Sequence, residues 1–128
     1  MTTYQNYALG SWITGDGDGV LLENAITGEQ IGTCSSEGLD YAAMMEYAKQ
    51  KGGAALRKMT FQERGRMLKA LALHLISIKK KFYGLSAATG ATKIDSWIDI
   101  EGGIGNLFAN ASLRRQFPDL PYYVDGSA

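Results

Sequence analysis

The sequence is poor in the residues that form covalent cross-links and transition-metal sites: its 128 residues include one cysteine and one histidine. A single cysteine, Cys34, excludes an internal disulfide and a cysteine-based zinc site. His74 has no cysteine or carboxylates spaced around it as metal ligands. Because the spacing also places no histidine beside Cys34 to activate its thiol, we expect no catalytic nucleophile in this chain.

Neither sign of charge is in excess, because 13 Lys and Arg balance 13 Asp and Glu. We therefore expect no nucleic acid and no membrane surface as a partner. The sequence lacks a run of about 18 apolar residues, the length that spans a bilayer. Residues 1–15 lack a basic segment followed by an apolar one, so we expect no secretory signal. These features predict a reduced, cytoplasmic, soluble domain.

The first third of the sequence predicts strands and the remainder predicts helices. Apolar runs at residues 7–13, 20–25 and 30–34 are separated by glycine-rich loops that are typical of tight turns. One of these loops, DGDG, lacks the later acidic residues of a calcium-binding loop, so we interpret it as a turn. The predicted fold class is α+β, with short strands or a hairpin followed by about four helices. The boundaries that we expect are 1–35 for the strands, 36–113 for the helical part and 114–128 for an extended tail.

Helical spacing of apolar residues and capping signals place the first two helices. The first is expected at residues 39–51, capped by the serine pair at 35–36 and ended by the glycine pair at 52–53. The second follows Thr60, because Glu63 three residues later completes a capping box.

A third helix is expected to begin at Ser77, with a break near the lysines at 79–81, and to end at Gly90. A fourth is expected from about residue 94 to residue 113. It contains Gly102, Gly103 and Gly105, each of which costs about 1 kcal/mol relative to alanine inside a helix. Such a cost suggests close approach of another chain segment or of a ligand.

The same helix carries two other patterns that have ordinary explanations. Asp95 and Asp99 lie near its N-terminus, where carboxylates complement the helix dipole, and we prefer this role to a catalytic carboxylate pair. The glycines that follow Glu101 do not have the spacing of a dinucleotide-binding loop. The residues alone therefore contain no complete catalytic, cofactor-binding or metal-binding constellation.

Several segments resemble the opening of the aldehyde dehydrogenase family. GSW at residues 10–12 is similar to a glycine-x-tryptophan strand of that family, and NAITGEQI at 24–31 is similar to its Asn-x-x-Thr-Gly-Glu turn. Arg64, the leucine-rich run at 71–75 and the Thr-Gly pair at 89–90 fit its next helices. The resemblance covers essentially all 128 residues. It implies the N-terminal part of an α/β aldehyde dehydrogenase fold.

A narrower resemblance is to the CoA-linked semialdehyde dehydrogenases of aerobic aromatic breakdown, in the phenylacetate or benzoate routes. It rests on SSEGLD at residues 35–40, GAALR at 53–57, LSAATGAT at 85–92 and DSWIDIEGGIG at 95–105. Some members carry a C-terminal enoyl-CoA hydratase-like domain. The resemblance implies NAD or NADP as the cofactor of the full-length enzyme, and does not choose between them.

The family places its cofactor glycines, catalytic cysteine, general-base glutamate and oxyanion asparagine downstream of the region that this chain resembles. We therefore expect an N-terminal fragment that binds no cofactor and is inactive alone. Its expected partners are the remainder of its own polypeptide and, in the full enzyme, further copies in a homo-oligomer. The alternative is a free-standing helical module that acts by binding.

The resemblance also implies that the fourth helix borders the substrate tunnel through positions one turn apart. Without gaps, these positions are Ile98 and Gly102. A glycine there would widen the tunnel for a bulky CoA-linked aldehyde. The competing explanation is close helix–helix packing at Gly102.

Overall fold

The computed structural model describes residues 1–126 and divides into two compact units. The first comprises Met1–Gly53 and Ala88–Gly90, and the second comprises Ala54–Ala87 and the residues from Ala91 onward. Strands precede helices, which confirms the predicted α+β class. Ser127 and Ala128, the last two residues of the predicted tail, lie outside the described residues.

Five short strands belong to the first unit: β1 (Thr2–Tyr4), β2 (Asn6–Ala8), β3 (Ser11–Ile13), β4 (Val20–Glu23) and β5 (Gln30–Cys34). Strand β5 lies in the centre of a three-stranded sheet, where it pairs parallel with β1 and antiparallel with β4. Strands β2 and β3 form a separate antiparallel hairpin. Strand β1 was not predicted, because three exposed residues carry no alternation of apolar and polar side chains.

The prediction of a single strand over residues 7–13 is wrong, because the chain reverses at Leu9 and Gly10. Their φ angles are 53° and 79°, so both turn residues are left-handed, as a two-residue hairpin of type I′ requires. Glycine adopts this conformation without steric cost, whereas Leu9 does not. The rings of Tyr7 and Trp12 meet across the hairpin at 5.1 Å, and this cross-strand aromatic contact stabilises it.

The predicted turn between β4 and β5 is confirmed. The side-chain oxygen of Asn24 accepts hydrogen bonds from the backbone N–H groups of Ile26 at 2.9 Å and Thr27 at 3.2 Å. An asparagine that binds the backbone two residues later is a typical turn former. Strand β4 ends at Glu23, two residues earlier than predicted.

The first predicted helix is longer than expected and begins later. Helix α1 (Tyr41–Tyr47) continues through a π-helical segment (Ala48–Gly53) into α2 (Ala54–Lys58). Its cap is Asp40, whose carboxylate accepts from the Ala43 N–H at 2.9 Å, and not a serine at 35–36. The glycine pair does not end the helix, because the wider π-helical turn includes it.

Helix α3 (Phe61–Ala88) begins at the predicted capping box. The Glu63 N–H donates to the Thr60 hydroxyl at 3.2 Å, and the Thr60 N–H donates to the Glu63 carboxylate at 2.8 Å. The predicted break at residues 79–81 and the cap at Ser77 are wrong, since α3 continues for 28 residues. The Ser77 hydroxyl donates to the His74 carbonyl at 2.6 Å, so it bonds back within the helix.

Gly90 follows α3 with a φ of 87° and ends it, as predicted. Helix α4 (Lys93–Ser112) then begins at a second capping box, formed by Thr92 and Asp95, and leads into a 3-10 turn (Leu113–Gln116). The interpretation of Asp95 as a helix-start residue is therefore confirmed.

Helices α3 and α4 pack as an antiparallel pair within the second unit. The Ser86 and Ser96 hydroxyls meet at 2.8 Å near one end. At the other end, Gly65 lies so close to α4 that an added Cβ would fall 2.9 Å from the Ala111 carbonyl oxygen. Small side chains dominate this contact, and Ala72, Ser96 and Ala111 are at most 2% exposed.

The segment after α4 returns to the start of α3. Phe117 stacks on Phe61 with ring centroids 4.8 Å apart. The Phe61 N–H donates to the Leu120 carbonyl at 3.1 Å, and the Arg64 guanidinium donates to the Pro121 carbonyl at 3.0 Å. The bond from Phe61 supplies a partner for one of the N–H groups at the start of α3, which lack partners within the helix.

Gly65→Ala tests the close approach of α3 to α4. A Cβ at this position would lie 2.6 Å from Arg114 Cδ and 2.9 Å from the Ala111 carbonyl oxygen. Since overpacking outweighs the gain in helix propensity, we expect a loss of about 1–2 kcal/mol in the free energy of unfolding. Urea denaturation followed by circular dichroism measures this change.

The matched control is Gly84→Ala in the same helix, where an added Cβ meets nothing within 4 Å. This variant should gain about 1 kcal/mol from helix propensity alone. Equal changes in the two variants would contradict the packing at Gly65.

Candidate functional site

A groove of about 350 Å³ in the second unit brings together the two predicted tunnel residues, Ile98 and Gly102. Trp97, Gly105 and Phe108 of α4 line the same groove, and Ile76 of α3 contributes to its wall. These α4 residues line one groove because positions three, four, seven and eight apart lie on the same face of a helix.

Helix α4 has two faces of unlike environment. Ser96 and Ala111 are at most 2% exposed, whereas Trp97 is 56% and Ile98 is 59% exposed. Burial of such large apolar side chains is favourable by about 1.5–3 kcal/mol each. The groove face of α4 therefore carries apolar surface that the described residues leave uncovered.

The glycines of α4 are not explained by close packing. A Cβ built at Gly102, Gly103 or Gly105 would meet no atom within 4 Å. No helix within residues 1–126 packs closely at Gly102, and both explanations for this glycine, the tunnel and a helix–helix contact in the full enzyme, stay predictions. Gly102 and Gly105 line the groove, whereas Gly103 does not. In place of packed neighbours, the missing side chains leave open space along one wall of the groove.

A polar network that sequence reasoning missed is centred on Glu101, which lines the groove. Lys79 Nζ lies 2.7 Å from Glu101 Oε1, and the Tyr83 hydroxyl donates to Glu101 Oε2 at 2.5 Å. The predicted break at residues 79–81 does not form, and Lys79 lies within the continuous helix α3. The available signal was its spacing of one turn from Tyr83, which places both side chains on one face of α3.

This network fixes the ionised form of Glu101. The hydrogen bond from Lys79, followed by the one from Tyr83, lowers the pKa of the Glu101 carboxyl below its ordinary value. The hydrogen bond to Glu101, with burial and the nearby negative charge, raises the pKa of Tyr83. A carboxylate with a lowered pKa is a weak base at neutral pH, so Glu101 suits anchoring of the two helices better than proton transfer.

The lone cysteine and the lone histidine belong to other parts of the chain. Cys34 is half-buried and lines a depression of about 310 Å³ in the first unit, beside Asn6 and Ser35. His74 is exposed on α3. Within residues 1–126, no three His, Cys, Asp or Glu side chains are grouped so that they could hold a metal ion.

No helix in that range combines the length and the hydropathy needed to cross a membrane.

Comparison with known proteins identifies a relative. Over 100 residues, the chain is 39% identical to the 3,4-dehydroadipyl-CoA semialdehyde dehydrogenase of Aromatoleum evansii. The aligned region covers 77% of this chain and 19% of that protein, so the chain spans about one fifth of the relative's length. No family model matches the chain. The similarity to CoA-linked semialdehyde dehydrogenases, predicted from the motifs, is confirmed.

Glu101→Gln tests the network through the pH dependence of stability. Because the folded-state pKa of Glu101 is lowered, its stabilising contribution is present above the ordinary pKa of 4.5 and is lost as the pH falls through the folded-state value. We therefore expect the wild type to be more stable than the variant at neutral pH. The difference should disappear in acid, as measured by denaturation at a series of pH values.

Asp99→Asn removes an exposed carboxylate from the same helix and is the control. The stability of Asp99→Asn relative to the wild type should not show the acid-dependent change that we expect for Glu101→Gln. A difference between the wild type and Glu101→Gln that stays constant from neutral pH into acid would contradict the proposed anchoring.

Proposed function

We propose that this chain is the N-terminal part of an NAD(P)-dependent dehydrogenase that oxidises a CoA-linked semialdehyde in aerobic aromatic catabolism. The observation that carries the proposal is the 39% identity to 3,4-dehydroadipyl-CoA semialdehyde dehydrogenase. The DSWIDIEGGIG run at residues 95–105, which resembles the same class, also supports it. The proposed reaction takes place in the cytoplasm.

The proposed chemistry uses groups that this chain does not supply. In this class, the resemblance implies that a cysteine thiolate attacks the aldehyde, which then passes hydride to NAD or NADP, and that water releases the acid. The half-buried Cys34 is not assigned the role of that thiolate. The chain alone is therefore proposed to be inactive and to bind neither NAD nor NADP.

The groove on α4 is proposed to form one wall of the substrate tunnel. Its exposed Trp97 and Ile98 offer apolar contacts to a carbon chain. Gly102 and Gly105 leave open space beside them, which would admit a substrate bulkier than a simple aldehyde. Apolar walls with a few polar groups are the usual composition of small-molecule sites.

Uncovered apolar side chains support the proposal that this chain functions with partners. Ile94 and Ile98 in the second unit and Trp12 and Met45 in the first are all more than half exposed. Apolar patches of this kind mark surfaces that another segment or subunit covers. We propose that the remainder of its own polypeptide covers them and that the full enzyme is a homo-oligomer.

The intact mass of the protein purified from its own cells, followed by an activity assay, tests the proposal. We expect a mass several times the 13.9 kDa of this chain. Such a protein should reduce NAD or NADP when given a CoA-linked semialdehyde. A monodisperse species of 13.9 kDa that folds cooperatively alone would instead support the free-standing helical module.

Gly102→Met in the full enzyme tests the tunnel wall. The new side chain would project into the groove, so we expect turnover of a CoA-linked semialdehyde to fall about tenfold or more, the effect of a misplaced substrate. Turnover of a short, unlinked aldehyde should fall less. Steady-state kinetics with the two substrates measures the ratio.

The control is Gly103→Met, a change at the neighbouring open glycine that does not line the groove. Both variants gain similar helix propensity, so a difference between them reports on the groove alone. Unchanged turnover of the CoA-linked substrate by Gly102→Met would exclude the tunnel role.

A further inference from the structure

A second depression in the second unit, of about 180 Å³, has a basic lining. Lys69 of α3 and Arg114 and Arg115 of the 3-10 turn contribute three of its six lining residues, and no acidic residue lines it. This basic pocket, as we call it from here on, differs from the apolar groove in the charge of its walls. Cations grouped without acids favour an anionic ligand, and arginine binds phosphate through two parallel hydrogen bonds.

Arg114 is held in place before any ligand binds. Its Nη1 donates to the Ala111 carbonyl at 2.7 Å, and its own carbonyl accepts from the Gln62 amide at 2.8 Å. Its side chain crosses Gly65, where a Cβ would lie 2.6 Å from Arg114 Cδ. Because a guanidinium has five N–H donors, the bond to Ala111 leaves others for a ligand.

The other two cations have no internal anion to neutralise them. Lys69 and Arg115 are exposed, and neither forms an ion pair within residues 1–126. By contrast, Lys79 on the same helix is paired with Glu101 at 2.7 Å. The positive charges of Lys69 and Arg115 can therefore attract an anion from solution.

The basic pocket and the apolar groove share one residue, Phe108, which lines both. Along α4, Gly102 in the groove and Ser112 in the basic pocket are separated by about 15 Å at 1.5 Å per residue. A ligand that has a long, weakly polar arm and a phosphorylated end matches this sequence of surfaces. Coenzyme A has this construction, since its pantetheine arm ends in an adenosine that carries a ribose 3′-phosphate.

We propose that the basic pocket binds the ribose phosphate of the CoA portion of the substrate. This inference rests on the proposed function, because it takes the CoA-linked substrate from there. The phosphate contacts Lys69, Arg114 and Arg115, and the acyl end of the substrate extends along the apolar groove past Phe108. NADP carries a ribose phosphate of the same chemistry and is the competing ligand in the test.

Calorimetric titration of the 128-residue chain with CoA, dephospho-CoA and NADP tests the proposal. We expect CoA to bind about tenfold or more tightly than dephospho-CoA, because the latter lacks the charged hydrogen bonds of the 3′-phosphate. Added salt should reduce the preference, since exposed charges are screened. Equal binding of CoA and dephospho-CoA, or tighter binding of NADP than of CoA, overturns the proposal.

Lys69→Gln and Arg115→Gln locate the binding. Each should weaken CoA binding about tenfold while leaving the affinity for dephospho-CoA unchanged. The matched controls are Lys80→Gln and Arg57→Gln, which remove the same charges from exposed positions outside the pocket. A loss of affinity in the controls equal to that in the pocket variants would mean that general charge attracts CoA, and would also overturn the proposal.

The titration and the activity assay can fail separately. Binding by this chain requires no turnover, so the two experiments are separate. If the native protein oxidises the CoA-linked substrate and Lys69→Gln does not change its KM, the proposed function stands and CoA binding in the basic pocket is contradicted. In the opposite case, the chain binds CoA through Lys69 and Arg115 but the native protein does not reduce NAD or NADP. That result would support the basic pocket and contradict the proposed function.

Discussion

The antiparallel pairing of α3 and α4 is the constraint on which the second unit depends. Small residues, with Gly65 and Ala111 at one end and Ser86 and Ser96 at the other, allow the two helices to approach closely. Between these ends, Glu101 accepts from Lys79 and Tyr83 and fixes one helix against the other. Because two long helices in contact have few ways to slide past such fixed points, the faces that they turn outward are also determined.

The outward faces give this region its functional character. Helix α4 buries Ser96 and Ala111 and leaves Trp97 and Ile98, which line the groove, exposed. Gly102, Gly103 and Gly105 lie next to open space. Packing within the described residues therefore does not offset the helix stability that these glycines cost. A surface of this kind is consistent with a segment that completes its core against another part of a larger protein.

The similarity to a CoA-linked semialdehyde dehydrogenase and the linings of the apolar groove and the basic pocket support related proposals. The identity of 39% comes from the residues alone, whereas the fold places the basic side chains of Lys69, Arg114 and Arg115 around a pocket that shares Phe108 with the apolar groove. A thioester substrate of CoA has both characters in one molecule. The proposed binding of CoA in the basic pocket would connect the sequence relationship to a physical surface of this chain.

The sequence by itself determined the local features: the α+β class, the capping box at Thr60 and Glu63, and the turn at Asn24. These depend on neighbours within a few residues, so spacing alone predicts them. Only the tertiary structure decided that α3 passes through its lysines unbroken, that Lys79 finds Glu101, and that Arg114 crosses Gly65. The physical reason is that the contacts of Lys79 with Glu101 and of Arg114 with Gly65 join residues more than 20 positions apart. The packing of the two helices fixes these partners, and no local pattern encodes that packing.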